Sequence, residues 1–179
     1  GSLRIRIRRN PKLSEKAGAL MADAPSGALI VEEQGETTRI AHGNLRLDLI
    51  RKNTDPQPRP PMSLSATRIS DGQRLWHAKA TRRLKPVAGT LWSAALDCEA
   101  FPDEHLTGLG QHPNGFLNQK GCVIDLVQVN TEVCIPWMVS SRGCGLLWNH
   151  PGTGRVELAA NRTRWTADAL EEIDLWLTT

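Results

Sequence analysis

The chain of 179 residues has no apolar run approaching the roughly 20 positions of a membrane-spanning helix. Nothing in it reads as a helical membrane span, and a composition of 40% hydrophobic and 23% charged residues predicts a soluble globular protein. It also lacks any C-x-x-C pair. Cys98, Cys122, Cys134 and Cys144 lie 24, 12 and 10 positions apart, and no histidines cluster beside them. That spacing argues against zinc, so no metal or cofactor is expected, and buried free thiols in a reducing compartment are. The N-terminal GSLRIRIRRNPKL has neither the apolar core nor the cleavage pattern of a signal peptide, which predicts a cytoplasmic location. Phosphate-binding loop, dinucleotide fingerprint and Ser-His-Asp order are all missing.

Sustained 3.6-residue periodicity is equally scarce. What recurs instead is a series of short alternating or β-branched runs: LRIRIR, ALIVEE, TTRIA, LRLDLI, SLSATRI, TLWSAALD, CVIDLVQV, VCIPWMVS, GLLWN, RVEL and IDLWLT. Nearly every gap between them carries Gly, Pro, Asn or Asp. Strands at this spacing with turn residues between them predict an all-β fold, a large antiparallel β-sandwich with little helix. At 179 residues the length fits one domain, residues 1–179, with a core that needs no staple. The helical candidates are SEKAGALMA at 14–22 and a turn around TADALEEI at 166–173, the latter equally readable as a loop before the last strand.

Net charge is +3, with the positive excess gathered in Arg4, Arg6, Arg8, Arg9 and Lys12. These arginines alternate with Leu3, Ile5 and Ile7, the pattern of a half-buried strand rather than of a basic tail, so no nucleic-acid partner is expected. Two stretches look irregular. RKNTDPQPRPPM at 51–62 holds four prolines and is expected to be an exposed loop. FPDEHLTGLGQHPNGFLNQKG at 101–121 is far longer than a usual connection, and ordered loops of that length are often functional.

From Gly108 onward, GLGQ at 108–111, LNQKGCVIDLVQVN at 117–130, IPWMVSSRGCGLLWNHP at 135–151 and IDLWLTT at 173–179 follow one another in an order that resembles the N-terminal domain of family 31 glycoside hydrolases, the α-glucosidases and α-xylosidases. The resemblance covers about the last 70 residues. It implies a β-sandwich of galactose-mutarotase-like form, a supersandwich, preceding a catalytic (β/α)₈ barrel that would begin near Thr179. The sequence departs from the family pattern at Cys144 and Leu175, where tyrosine is common; it contains no tyrosine at all.

The resemblance further implies a retaining hydrolase whose two catalytic aspartates sit on the absent barrel, so no catalytic residue is expected here. Asp97, Glu99, Asp125 and Glu132 each lie in or beside an apparent strand, where a solvent-facing carboxylate is the default. In the family a sandwich loop forms part of the leaving-group subsite. Carried over by motif, Asn130 and Thr131 would contact the glycoside or oligosaccharide substrate, with Gln111 and Gln119 on the adjacent loop. Asn130 could equally just cap a strand end. Phe116 could stack on a sugar or anchor an interface, whereas His112 reads as an ordinary loop histidine.

SSRGCGLLWNHPG at 140–152 reads as a hairpin in which Arg142 and Trp148 pack the domain. The main partner expected is the chain's own C-terminal barrel, and an isolated copy would expose an apolar patch able to support a homo-oligomer. Two other functions stay open on the residues alone. A self-standing carbohydrate-binding module would need an exposed aromatic platform from the six tryptophans, and a mutarotase-like epimerase would need His105 or His112 to converge with Glu132.

Overall fold

The computed structural model describes residues 1–8, 27–51 and 62–179, and these form two antiparallel sheets. Strands are numbered in chain order. The smaller sheet runs, in spatial order, β1 (Ser2–Arg8), β14 (Glu172–Thr178), β11 (Cys144–Trp148), β10 (Val133–Ser140) and β8 (Leu106–Gln111). The larger runs β2 (Ile30–Gln34), β3 (Thr37–His42), β4 (Leu45–Arg51), β5 (Met62–Arg68), β6 (Arg74–Ala88), β7 (Leu91–Cys98), β13 (Arg162–Leu170), β12 (Gly154–Ala159) and β9 (Val123–Leu126). The fold is an all-β sandwich, and no helix occurs among the described residues.

Alternation decides which side chains meet between the sheets. In β1, Leu3 and Ile5 are buried while Arg4 and Arg6 face outward, and the register Arg4↔Trp176 and Arg6↔Asp174 sets the guanidinium groups beside carboxylates of β14. Arg4 grips Asp174 through two hydrogen bonds of 3.0 and 2.6 Å, and Arg6 and Arg8 both reach Glu172. Arg4, Arg6 and Arg8 are thus neutralised within the sheet. Inward-facing residues of both sheets, including Leu45, Leu64, Leu96, Val156, Leu175 and Leu177, build one continuous core.

Three expectations need correcting or placing. Residues 166–173 are neither helix nor loop: they complete β13 and begin β14. The ladder that β13 makes with β7, from Thr163↔Cys98 to Leu170↔Trp92, outweighs the helical preference of Ala, Leu and Glu. The stretch 101–121 is not one loop, because Leu106–Gln111 pairs with β10 as an edge strand. CVIDLVQV is a strand only as far as Leu126. The helical candidate at 14–22 and the body of the proline-rich stretch, 52–61, lie outside the described residues.

SSRGCGLLWNHPG forms the β10–β11 hairpin, with Ser140 paired to Cys144 and Gly143 at φ 82° in its turn. Arg142 donates to the Arg74 carbonyl at 3.0 and 2.7 Å, and its guanidinium lies 4.0 Å over the Phe101 ring. Trp148 points into the core, 1% exposed. Gly145 is required by packing, because a Cβ there would run into the indole of Trp137, which lies across it on the outer face.

Candidate functional site

The residues singled out for substrate contact lie at one end of the sandwich, where β8 is the edge of the smaller sheet and β9 the edge of the larger. β8 begins regularly but turns irregular within GLG. Gly108 and Gly110 have φ 106° and 102°, and Leu109 between them has φ 70°, a conformation that costs a non-glycine residue about 1 kcal/mol or more. Opposite, β10 steps from Cys134 to Met138 while β8 steps only from Gly110 to Gly108, so Ile135, Pro136 and Trp137 form a bulge. The reward for this backbone is a fully buried Leu109 side chain.

After Gln111 the chain doubles back along the open side of β8 and caps it. The Leu106 N–H donates to Asn118 Oδ1 at 3.0 Å, and the Leu106 carbonyl accepts from the Gln119 N–H at 2.7 Å. Covering an edge in this way prevents strand addition. Inside the loop, Asn114 Nδ2 donates to Gln119 Oε1 at 2.7 Å and Gln119 Nε2 donates to the Phe116 carbonyl at 2.5 Å. Lys120 Nζ donates to the Phe101 carbonyl. The outcome is a knitted loop that presents Phe116 (62% exposed) and Leu117 (83% exposed) to solvent.

The β9–β10 connection is a tight turn, closed by the Glu132 N–H donating to the Val129 carbonyl at 3.3 Å. Asn130 and Thr131 sit exposed at its tip, Thr131 at φ 73°. Gln128 braces the turn from within: its Nε2 donates to the Glu132 carbonyl at 2.6 Å and its Oε1 accepts from the Cys134 N–H at 3.1 Å. Gln111 is exposed and paired with Val133, next to this turn. Gln119 departs from expectation. It is buried, where the carried-over role implied an accessible side chain, and its amide is engaged at both ends in holding the loop.

The sequence also misses the role of His112. Its ring is not that of a surface loop histidine: the side chain is 7% exposed, with Nδ1 3.1 Å from Glu132 Oε2 and Nε2 2.8 Å from the Leu109 carbonyl. His112 and Glu132 do meet, yet as a packed pair with both ring nitrogens occupied, not as an acid and base open to a sugar ring.

The other carboxylates are held by cations across the strands. Asp97 pairs with Arg164 at 2.6 Å and, against expectation, is buried; Asp125 pairs with Arg155 at 2.6 Å. Burial acts to raise the Glu99 carboxyl, but hydrogen bonds from His77 and Arg74 outweigh it and leave the group below its ordinary value. Ser63 Oγ, His77 and Glu99 form a chain at 2.9 and 3.1 Å in the order of a hydrolase relay. Ser63 lies between β4 and β6, however, so the N–H groups beside it are committed to the ladders rather than to an oxyanion. No group of three or more His, Cys, Asp or Glu side chains that could hold a metal ion occurs among the described residues.

No family model matches the chain. Its relatives are glycoside hydrolases of family 31, and the chain is homologous to a minor portion of them, a β-sandwich. It is 30% identical over 193 residues to an uncharacterised family 31 glucosidase of Pseudescherichia vulneris, an alignment spanning 99% of this chain and 36% of that protein. It is 37% identical over 89 residues to α-xylosidase A of Aspergillus niger, covering 50% of this chain and 12% of the relative. Among solved structures, a family 31 α-xylosidase from a soil metagenome, complexed with xylose, superposes with a TM-score of 0.85 at 31% identity over 99% of this chain and 28% of that one. The chain therefore spans about a third or less of the length of these relatives.

Proposed function

We propose that the chain is the N-terminal β-sandwich, of galactose-mutarotase-like form, of a family 31 glycosidase that hydrolyses α-linked xylosides or glucosides. The domain packs on a catalytic (β/α)₈ barrel and lends the β9–β10 turn, with Asn130 and Thr131 at its tip, to the leaving-group subsite. Hydrolysis with retention needs two carboxyl groups about 5–5.5 Å apart across the scissile bond. Those groups belong to the barrel, which fits the commitment of Asp97, Glu99, Asp125 and Glu132 to ion pairs in the sandwich. Four free thiols suit a reducing compartment, and the cytoplasm is the location this reading favours.

The observation that carries the proposal is the apolar surface along β10 and the loops flanking β9. Phe116, Leu117, Val129, Val133, Ile135 and Val139 are all exposed, and all belong to β10 or to the loops flanking β9. Exposed large apolar side chains gathered in one stretch mark an interaction site, and a rigid loop presents them without an ordering cost on docking. Within this setting the Asn130 amide both donates and accepts, so it can hold a sugar hydroxyl in either role.

Substituting Asn130→Asp in the full-length enzyme tests the reading. The expected result is a changed ratio of kcat/KM between a disaccharide and a nitrophenyl glycoside of the same glycone, because only the disaccharide offers leaving-group hydroxyls. An unchanged ratio would count against a place for Asn130 in that subsite.

A further inference from the structure

The turn that carries Asn130 and Thr131 is braced almost entirely by itself. Gln128 bridges Glu132 and Cys134, and the Glu132 N–H closes on Val129. Among the described residues, the hydrogen bond that ties residues 127–132 to another segment is the one between Glu132 and His112. His112 in turn holds the Leu109 carbonyl, at the point where the bulge of β10 interrupts regular pairing.

The chemistry of this link is fixed by its acceptors. A backbone carbonyl and a carboxylate both only accept, so each ring nitrogen of His112 faces an acceptor, Glu132 Oε2 at 3.1 Å and the Leu109 carbonyl at 2.8 Å. The pair is partly shielded, with side-chain exposures of 7% and 28%, which makes it stronger than an open surface pair. One end grips backbone held in place by the buried Leu109, and the other grips the residue after Thr131.

We infer that His112 is a positioning residue: through Glu132 it fixes the Asn130–Thr131 tip relative to β8, and so sets how well the enzyme uses a sugar as leaving group. The inference rests on the subsite reading of that turn. Fixing the tip before substrate arrives removes the ordering cost from each binding event. Neither residue need touch substrate for this.

Three variants separate the possibilities: H112A, E132Q and N130A. In the 179-residue chain, exchange of the Glu132 amide, whose N–H closes the turn on the Val129 carbonyl, is expected to quicken by about threefold to tenfold in H112A, the effect of losing one hydrogen bond. E132Q should stay close to the native rate, since its amide NH₂ can donate to Nδ1 of a neutral ring while Nε2–H still holds the Leu109 carbonyl. In the full-length enzyme, H112A and N130A should each lower the ratio of kcat/KM for the disaccharide to that for the nitrophenyl glycoside, and E132Q should retain most of it. Unchanged exchange in H112A overturns the inference. So does a ratio that falls in N130A but not in H112A, which would leave the subsite reading standing; a ratio unmoved by N130A removes that reading, and the positioning role with it.

Discussion

The indole of Trp148 lies on the indole of Trp165, ring centroids 5.6 Å apart and planes 18° from parallel. One belongs to β11 of the smaller sheet and the other to β13 of the larger, so this contact joins the two layers. Both rings are fully buried, and neither Nε1–H has a hydrogen-bond partner among the described residues. Trp148→Ala should therefore cost about 3–5 kcal/mol through cavity formation. Trp148→Phe should cost well under half of that, because it keeps an aromatic face and removes a buried donor left unpaired. Urea unfolding followed by the remaining tryptophans measures both; equal losses would contradict the stacking account.

Two glycines hold their places for different reasons. At Gly110, φ 102° and the backbone of Val133 and Ile135 both exclude a Cβ, and neither obstacle can swing away. At Gly145 the obstacle is the outer end of the Trp137 indole. Gly110→Ala is expected to lower the midpoint of thermal unfolding more than Gly145→Ala, whose cost should lie at about 1–3 kcal/mol. The reverse order would mean that the GLG backbone is less tightly specified than its contacts indicate.

Thiol chemistry should follow burial. Burial pushes the Cys144 thiol up to about 11 and the fully buried Cys98 higher still. Alkylation of the native chain at about pH 8 is expected to spare both and to modify them only after unfolding. Rapid native labelling of Cys98, read by mass spectrometry, would contradict the burial of the inner face of β7, between β6 and β13 of the larger sheet, in the core.

His150 sets a pH dependence with a definite sign. Burial lowers its folded-state value below the ordinary 6.5, with Asp168 opposing. Just below that value the unfolded chain binds more protons than the folded one, so the stability contributed by neutral His150 is complete above about pH 6.5 and is lost as the pH falls through the window beneath it. His150→Asn should flatten the profile of unfolding free energy between about pH 5 and 7 relative to the native chain. An identical slope in both proteins would remove His150 as its source.

Legibility followed the amphipathic pattern. β1, β4, β7, β10, β11 and β14 all show in the sequence as alternating or β-branched runs, and the β10–β11 hairpin shows through Ser-Arg-Gly. β6, β8 and β13 do not. RLWHAKATRRLKPVA is broken by register shifts in β6, TGLGQ in β8 has glycines where a strand would show side chains, and TADAL in β13 carries helix-forming residues held extended by β7. At the candidate site the motif order led to the exposed tip at Asn130 and Thr131, and to Gln111 beside it. The burial of Gln119 and the meeting of His112 with Glu132 were not legible, because both arise from the loop folding back along β8, a tertiary event that leaves no periodicity.

Hydrogen exchange compared between the 179-residue chain and the longer, barrel-bearing protein proposed above tests most directly whether the β8–β10 end is a docking surface. The expected result is added protection in the full-length protein across residues 114–119 and 128–139, with none at β3 or at β2, whose apolar side chains Ile30 and Val31 are also exposed. Protection confined to β2 and β3, or none at either place, would contradict it.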